Sequence, residues 1–579
     1  MKKRFALLIA VVLVLVCYLT ACQSNQTQTT PNQTTTTVTN QTTTAATTTT
    51  TTAVETGLND PNVNLPGTIP VLKELTDIKI GISADGSYLS WTTSAIGDWV
   101  KEKSNVNIVW EFFSTSGDEA RQQIELLVAS NAVLPEIIHG LLNDSGRDAY
   151  GAAGYLVELT PYFEKQGKFF YEAVDREEFN LDDMTKYAKS PDGGLYGVPS
   201  FGYAPGNYYS NRAWIATPFL EALGMENPKN ADELYEYLKG VKTMDPNRNG
   251  EPDEIGIIGS INGWNGNPLS WMQNMFIYCD NTDNRYIITN NGELDVSYDK
   301  PEYQEFLKYA RKLCDEGLLD ALSFTQDYDT YLSQVTAPEL IVGMAISGGV
   351  GGFADNVSKY QAANVIEGPN GFKAATYSAP YANTLSYITS SAESPEACFA
   401  FLMTGFSDEK YHIMARYGQE GLDWAYCTDG EKGLYEDLGF PAVFKWLRGD
   451  IRKIEGQTSV WGGANIYTLP VMTKNEVLYY VDPVENIGAA MTAATTIAQA
   501  PYAPQNVVTK IIYTQEESDK TSELRSVLKT YVKEARTRFV AGDLDPEKDW
   551  DAYIQELNNI QYQMILETDR AAYHRTIGK

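Results

Sequence analysis

The segment Asp77-Ile-Lys-Ile-Gly-Ile82 starts an alternation of strands and helices that sets the fold class. Its apolar side chains predict a buried strand. Further patterns follow in order: a helix over residues 95–103, a strand over 106–113, a helix over 120–130 and a strand over 136–139. Strand, helix and strand at this spacing predict parallel sheets with right-handed crossovers. The predicted fold is therefore α/β, with parallel-rich sheets flanked by helices.

The length of the chain predicts more than one core. Residues 67–579 are too many for a single hydrophobic core and favour two lobes. The last part repeats apolar residues at helical spacing over 521–540 and 549–573, which predicts long amphipathic helices that pack on one lobe.

A cation-binding pattern lies in Asp245-Pro-Asn-Arg-Asn-Gly-Glu-Pro-Asp-Glu254. Oxygen-bearing side chains at alternate positions, followed by a glycine, form the first half of a calcium loop. The loop is predicted to bind a structural Ca²⁺. Its predicted ligands are the side chains of Asp245, Asn247, Asn249, Asp253 and Glu254 and the backbone carbonyl of Glu251. Position twelve, where a bidentate Glu belongs, is Gly256. An Asn/Gly/Asp turn without a metal is the alternative.

Two runs before this loop, together with the loop, resemble a known family: Tyr208-Tyr-Ser-Asn-Arg-Ala-Trp214 and Phe219-Leu-Glu-Ala-Leu-Gly224. The chain is similar to extracellular solute-binding proteins of family 1, and in particular to the large lipoprotein and alginate-oligosaccharide-binding branch. Other stretches agree: Leu127-Val-Ala-Ser-Asn-Ala-Val-Leu-Pro-Glu-Ile137, Asp192-Gly-Gly-Leu-Tyr-Gly-Val-Pro199, Ser394-Pro-Glu-Ala397 and Tyr417-Gly-Gln-Glu-Gly-Leu-Asp-Trp424. The resemblance implies a periplasmic-binding-protein-like fold that binds carbohydrate and passes it to the transmembrane subunits of an ABC permease.

The first 66 residues predict export and anchoring. Lys2, Lys3 and Arg4 precede an apolar run that ends in Leu-Thr-Ala-Cys22, which resembles a bacterial lipobox. Residues 1–22 are thus predicted to be a lipoprotein signal with Cys22 lipidated, which leaves the protein on the membrane by its lipid anchor alone. A plain secretory signal cleaved near Ala21 is the alternative. Residues 23–66 begin with a Thr, Gln and Asn-rich run and predict a disordered tether.

Charge and cysteine content limit the partners. The chain has 75 acidic and 45 basic residues, a net charge of −30, which disfavours nucleic acid as a partner. Its three histidines are too scattered to predict a histidine metal site. Four cysteines beyond the signal lack metal-ligand spacing and predict buried thiols rather than disulfides: Cys279, Cys314, Cys398 and Cys427.

The predicted ligand contacts come from loops that follow strands, because ligands bind beyond the carboxyl ends of parallel strands. Aromatic rings stack on sugar faces, and Asp or Asn side chains bind sugar hydroxyls. The candidates are Trp91, Asp144, Asn262, Trp264, Trp271 and Trp461. For each aromatic residue, a role in core packing is the alternative.

Three functions fit these observations, and the first is favoured. It is a membrane-anchored receptor of an ABC importer, which closes two lobes on an oligosaccharide and has no catalytic role. A lipoprotein that presents its ligand to a membrane kinase has the same fold. A surface glycoside hydrolase needs two carboxylates at a defined separation in a cleft, and no catalytic motif indicates such a pair.

Overall fold

A first mixed sheet confirms the opening of the predicted fold. The computed structural model describes residues 60–579 except 84–94, 177–179, 201–204, 281, 283, 380, 409, 411–419, 441, 448–478 and 481–486. The sheet has the strand order β2-β1-β3-β11-β4. Its strands are β1 Thr76–Ser83, β2 Val106–Phe113, β3 Ile137–His139, β4 Val198–Ser200 and β11 Asn383–Ile388. β1 is parallel to β2 and β3 as predicted, whereas β11 is antiparallel to both of its neighbours.

Helices cover this first sheet and enclose its core. They are α1 Ala95–Ser104, α2 Gly117–Ala129, α3 Asp144–Ala152, α4 Thr160–Gln166, α5 Lys168–Arg176, α6 Leu181–Lys186 and, much later in the chain, α13 Pro395–Thr404. The two helices predicted from periodicity, now α1 and α2, differ from the prediction only at their ends. Ile80 of β1, Phe170 of α5 and Phe399 of α13 are fully buried in one cluster. Each such side chain contributes about 1.5–3 kcal/mol by burial.

A second sheet corrects the prediction of parallel-rich sheets. Its strand order is β10-β5-β9-β6. The strands are β5 Arg212–Ala216, β6 Ile255–Ile258, β9 Val342–Ser347 and β10 Tyr360–Ala362. Only β6 is parallel to β9, whereas β5 is antiparallel to both β9 and β10. Hydrophobic periodicity indicates that a segment is a strand but not which way the strand runs, so the sequence could not distinguish parallel from antiparallel pairing.

The helices around the second sheet include the helix that precedes the predicted calcium loop. They are α7 Pro205–Tyr208, α8 Thr217–Leu223, α9 Ala231–Thr243, α10 Pro268–Gln273, α11 Pro301–Asp315 and α12 Tyr328–Val335. Asn230 caps α9 by accepting a 2.9 Å hydrogen bond from the N–H of Glu233, as the sequence predicts. Leu234, Leu238 and Val241 form its buried face.

The C-terminal region is helical, as predicted. Its helices are α14 Ile487–Gln499, α15 Gln515–Ala541, α16 Trp550–Asn559 and α17 Tyr562–Thr576. Leu528 and Val532 of α15 and Leu557 of α16 belong to the buried cluster of the second sheet. These helices therefore complete that core by packing on it. Within α17, Asp569 accepts hydrogen bonds from Tyr286, Tyr513 and Arg525.

Short elements complete the described part of the chain. Strands β7 Tyr286–Ile288 and β8 Leu294–Val296 form a hairpin, and strands β12 Trp424–Tyr426, β13 Phe444–Trp446 and β14 Tyr479–Tyr480 form a small sheet. The 3₁₀ turns are Ala321–Phe324, Ala354–Lys359, Glu436–Leu438 and Ala500–Tyr502. The four cysteines in this part form no disulfide with one another. Cys279 and Cys398 are buried thiols, as the sequence predicts, whereas Cys314 and Cys427 are half-buried.

The last residues of the predicted tether pack on the first sheet. The N–H of Asp60 donates a hydrogen bond to the carboxylate of Glu396, and Val63 pairs with Leu72 and contacts the first core. The reason is that Val63 is an apolar residue that has a core within reach, unlike the polar run ahead of it.

Within the described segments, no helix has both the length and the apolar character needed to cross a bilayer.

Candidate functional site

Two parallel strands of the second sheet end side by side. β6 leads into residues 259–267, and β9 leads into the glycine-rich segment 348–352. The N–H of Gly348 donates a 2.7 Å hydrogen bond to the carbonyl oxygen of Trp264. The two strand ends are thereby joined at the sheet edge where open α/β sheets bind ligands.

The indole ring of Trp264 rests on glycine backbone. A Cβ atom at Gly348 would lie 2.3 Å from that ring, and one at Gly349 would lie 3.7 Å from it. Despite its size and apolar character, Trp264 is 54% exposed. We call Trp264 together with Gly348 the Trp264 platform. It presents a flat, supported aromatic surface of the kind that a sugar face covers.

Tyr328 at the start of α12 lies next to the platform. Its ring would be 2.8 Å from a Cβ atom at Gly263, and it stacks on Tyr331 with the ring centroids 5.8 Å apart. Burial raises the pKa of the Tyr328 phenol, so its hydroxyl stays neutral. The exposed Asn262 accepts a 2.7 Å hydrogen bond through Oδ1 from the N–H of Tyr328. Asn262 therefore joins the two loops beside Trp264.

Two further residues close to this edge of the sheet were not predicted from the sequence. Thr492 of α14 lies 3.7 Å from the position of a Cβ atom at Gly349, and the hydroxyl of Tyr435 lies 2.6 Å from one at Gly206. Both come from segments far along the chain and carry no motif. Only the fold brings them to the edge of the second sheet.

A buried arginine supports the platform from below. Arg212 is fully buried, and its guanidinium donates to the carbonyl oxygens of Gly348 and Gly206 and to Oγ1 of Thr496 at 2.9 Å. Burial lowers the pKa of Arg212 to about 10, so the side chain stays charged at neutral pH. These bonds fix the backbone on which Trp264 rests, because a buried cation must find its acceptors inside the protein.

Trp271 is a correction to the predicted set of ligand contacts. It is 8% exposed and belongs to α10 within the core of the second sheet. Asn267 caps that helix and Pro268 starts it, which turns Trp271 inward. Trp271 does follow β6 along the chain, as the prediction assumed. The ring is nevertheless buried, because the helix α10 after the loop directs it into the core.

Asp144 follows the third strand, as predicted, and its carboxylate is already engaged. Lys510 lies 2.8 Å from one carboxylate oxygen of Asp144 and Arg147 lies 2.8 Å from the other. Burial alone would raise the pKa of Asp144, but these two cations outweigh that effect and lower it. Tyr187 and Tyr381 share with them a cavity of about 400 Å³. The structure thus places Asp144 in a polar cavity apart from the residues that surround Trp264.

Three predicted site residues lie outside the described residues: Cys22, Trp91 and Trp461. Their predictions stay predictions.

The predicted calcium loop, residues 245–254, folds around its own side chains. Asp245 accepts hydrogen bonds from the N–H groups of Asn249 and Gly250 at 3.1 and 3.0 Å. Asn247 also accepts from Asn249 at 3.0 Å, and Asn249 accepts from the N–H of Glu251 at 2.7 Å. A φ of 82° at Gly250 permits the turn. The loop thus directs side-chain oxygens inward.

Glu254 carries an unsatisfied oxygen in this loop. The residue is 1% exposed, and its Oε1 has no hydrogen-bond partner. Burial raises the pKa of Glu254, and the nearby charges of Asp245 and Asp253 raise it further. Lys242 does not neutralise the group, because its Nζ donates to the carbonyl oxygen of Glu254 at 2.8 Å. A buried carboxylate oxygen without a donor is the kind of group that a cation satisfies.

The donor chemistry suits a hard cation. In the part of the chain that the structure describes, no three His, Cys, Asp or Glu side chains converge closely enough to hold a metal by themselves. A site here depends on amide and carbonyl oxygens from Asn247, Asn249 and Glu251 as well as on carboxylates. An all-oxygen set of this kind fits Ca²⁺ rather than Zn²⁺.

Known proteins share this fold and parts of this sequence. FusA, a fructooligosaccharide ABC transporter substrate-binding protein of Streptococcus pneumoniae, is 23% identical over 478 residues, which cover 79% of this chain and 82% of FusA. Its structure with kestose has a TM-score of 0.67 at 20% identity and covers 87% of this chain and 99% of that one. A further FusA structure is described as an EF-hand mutant.

Two other relatives match over most of their length. Lipoprotein LipO of Bacillus subtilis is 24% identical over 434 residues, which cover 70% of this chain and 74% of LipO. The structure of the alginate-binding protein AlgQ2, described as without calcium ion, has a TM-score of 0.63 at 17% identity and covers 88% of this chain and 99% of that one.

The sequence profile for bacterial extracellular solute-binding proteins matches residues 85–411. That range spans more than half of the chain. It begins after β1, runs from α1 through α13, and contains the whole 245–254 loop and the Trp264 platform. The chain therefore belongs to the bacterial extracellular solute-binding protein family, whose members bind solutes and are not enzymes.

Proposed function

We propose that this protein is the extracytoplasmic substrate-binding receptor of an ABC importer for oligosaccharides. The observation that carries the proposal is the half-exposed Trp264 ring, supported by Gly348 at the ends of two parallel strands. The binding of kestose by FusA, which has the same fold, supports this class of ligand.

The chemistry around the platform suits a neutral polyol. The ring stacks on the apolar face of one sugar unit, and that contact is worth roughly 0.5–1.5 kcal/mol beyond the buried area. Tyr328, Thr492 and the amide of Asn262 supply hydroxyl and amide groups for sugar hydroxyls nearby. No proton transfer is needed, because binding and release are the whole task.

Delivery requires a change of shape. We propose that residues 67–579 form two lobes, one around each sheet, that close on the ligand and so present it to the permease subunits. Asp144, Trp91 and Trp461 remain proposed contacts of the closed form. Lys510, which pairs with Asp144, also donates through its Nζ to the carbonyl oxygen of Tyr187 at 3.0 Å, and these contacts between distant segments support the proposal.

We further propose that a structural Ca²⁺ occupies the 245–254 loop. Its ligands are Asp245, Asn247, Asn249, the carbonyl of Glu251, Asp253 and Glu254. The buried, unpaired Oε1 of Glu254 supports the proposal. The ion neutralises carboxylates that have no cationic partner in the described chain, and it holds α9 to β6.

Anchoring is proposed from the N-terminal sequence. Cys22 becomes the lipidated first residue of the mature protein, and the polar run after it forms a tether to the folded part. The relation to lipoprotein LipO supports this assignment.

The test is a ligand screen that also looks for products. Pure protein without its signal is mixed with kestose, with neutral oligosaccharides of other linkages and with alginate oligomers, and melting temperatures are recorded. The proposal predicts a raised melting temperature with at least one oligosaccharide and no new product by chromatography. If any oligosaccharide is turned over, the protein is a hydrolase and not a receptor. If none of them changes the melting temperature, oligosaccharides are not the ligand class.

A further inference from the structure

The strand that follows the 245–254 loop cannot supply its missing ligand. A Cβ atom at Gly256 would lie 2.3 Å from the carbonyl oxygen of Leu318, and the neighbouring N–H of Ile257 donates to that same oxygen at 2.9 Å. No side chain fits at position 256, so a Glu at the twelfth position is sterically excluded. The carboxylates of the continuous sequence therefore end at Glu254.

A carboxylate from elsewhere reaches the loop. Oε2 of Glu339 accepts a 3.0 Å hydrogen bond from Nδ2 of Asn249, which lies 90 residues away in sequence. The same Nδ2 donates to Oδ2 of Asp253 at 3.2 Å. Glu339 and Asp253 thus lie close enough together to share one amide group.

The backbone holds Glu339 at this place. Nδ2 of Asn247 donates to the carbonyl oxygen of Leu340 at 3.3 Å, and the N–H of Ile255 donates to the carbonyl oxygen of Ile341 at 2.8 Å. Residues 339–341 therefore run along the loop immediately before β9 begins. The sheet therefore holds the backbone next to Glu339, and from there the exposed carboxylate reaches Asn249.

The charges near Asn249 are not balanced by the protein. Among the described residues, no Lys or Arg forms an ion pair with Glu339, Asp245, Asp253 or Glu254. In addition, the fully buried Glu254 keeps an oxygen without any donor. Excess negative charge together with a buried, unpaired acceptor indicates that a cation belongs here.

We infer that Glu339 is a positioning residue of the proposed calcium site. By accepting from Nδ2, it fixes the amide of Asn249 so that Oδ1 is the atom left for the metal. It also adds its negative charge to the three carboxylates that are proposed as ligands, those of Asp245, Asp253 and Glu254, and thereby compensates for the glycine at position 256. Carboxylates that hold a metal ligand in this way commonly change metal affinity by about 10–100-fold when they are removed. The inference rests on the calcium site proposed above.

Two substitutions separate charge from hydrogen bonding. Glu339→Gln keeps an oxygen acceptor and removes the charge, whereas Glu339→Ala removes both. Asp355→Asn is the matched control, because it removes an exposed carboxylate from the 3₁₀ turn after β9, away from the loop. Calcium affinity is measured by calorimetry on protein treated with chelator, and melting curves are recorded with chelator and with Ca²⁺.

The expected result is a loss of calcium affinity of roughly tenfold for Glu339→Gln, a larger loss for Glu339→Ala and none for Asp355→Asn. The melting temperature in chelator should stay near that of the wild type, whereas a merely structural role would lower it. Calcium affinities within about twofold of the wild type for both Glu339 variants would overturn the inference and leave the calcium site standing. A wild-type protein that takes up no Ca²⁺ would overturn the site and this role together.

Discussion

Gly348 and Trp264 hold each other in place: the N–H of Gly348 donates a 2.7 Å hydrogen bond to the carbonyl oxygen of Trp264, whose indole then covers Gly348. The contact joins the loop after β6 to the loop after β9. The position of the exposed ring is therefore set by the backbone of a neighbouring strand. A side chain at position 348 is incompatible with that position.

The first prediction concerns this contact. Gly348→Ala places a methyl group 2.3 Å from the present position of the Trp264 ring, so the ring must move. We expect oligosaccharide affinity to fall about tenfold, as for the loss of an aromatic contact, measured by calorimetry. Gly351→Ala is the control, since a Cβ atom there meets nothing within 4 Å. Equal affinities for the two variants would mean that the ring does not contact the ligand.

The second prediction concerns calcium removal. An ion that binds the folded state and not the unfolded one stabilises it by about 2.7 kcal/mol when free Ca²⁺ exceeds its Kd a hundredfold. Chelator should lower the melting temperature, and added Ca²⁺ should restore it. Asp245→Ala should abolish the response, and Mg²⁺ should replace Ca²⁺ poorly because its small octahedral shell suits this loop badly. A melting curve indifferent to chelator, from protein free of metal at the start, would contradict the site.

The third prediction concerns acid stability and His139. Burial lowers the pKa of His139 from 6.5 to about 4, and its Nδ1 lies 3.0 Å from Oγ of Ser386. Because folding favours the neutral ring, this contribution to stability is complete above pH 6.5 and is lost as the pH falls towards 4. Between pH 7.5 and pH 5 the wild type should lose about 2 kcal/mol relative to His139→Asn.

Urea denaturation of both proteins at the two pH values measures that difference. If His139→Asn and the wild type lose stability in parallel, His139 is not the group that titrates.

The fourth prediction concerns the anchor. Cys22→Ala removes the thiol that would carry the lipid, so the protein should move from the membrane fraction to the soluble exported fraction. Fractionation of cells with an antibody to the folded part measures the distribution. Ala21→Ser, which keeps the cysteine, should remain with the membrane. A Cys22→Ala protein that sediments with membranes like the wild type would show another means of attachment.

Strand and helix positions of the first sheet were predictable from the sequence. Hydrophobic periodicity depends on neighbours in sequence, and it placed β1, β2, α1 and α2 with errors only at their ends. The direction of the strands could not be predicted in this way, because β11 and β5 reach their antiparallel positions in the sheets through long connections. Nothing in their local sequence reports those connections.

The candidate site shows the same division. Trp264 follows a strand directly, so its place at the sheet edge could be predicted from chain order. Trp271 follows the same strand, but the proline-started helix α10 turns it into the core. Tyr435, Thr492 and Glu339 lie far from the residues they meet, and no spacing rule joins them. Local patterns therefore gave the platform and the loop, whereas the partners from distant segments required the fold.

The central claim is that the Trp264 platform binds an oligosaccharide, and calorimetry on Trp264→Ala tests it most directly. The ligand used is the oligosaccharide that raises the melting temperature most. Trp271→Ala is the contrasting variant, because the loss of this core residue should lower the free energy of unfolding by about 3–5 kcal/mol. We predict that Trp264→Ala weakens binding by roughly 1–2 kcal/mol and leaves the melting temperature nearly unchanged, because its ring is half exposed. Wild-type affinity in Trp264→Ala, or a loss of stability as large as that of Trp271→Ala, would contradict the account.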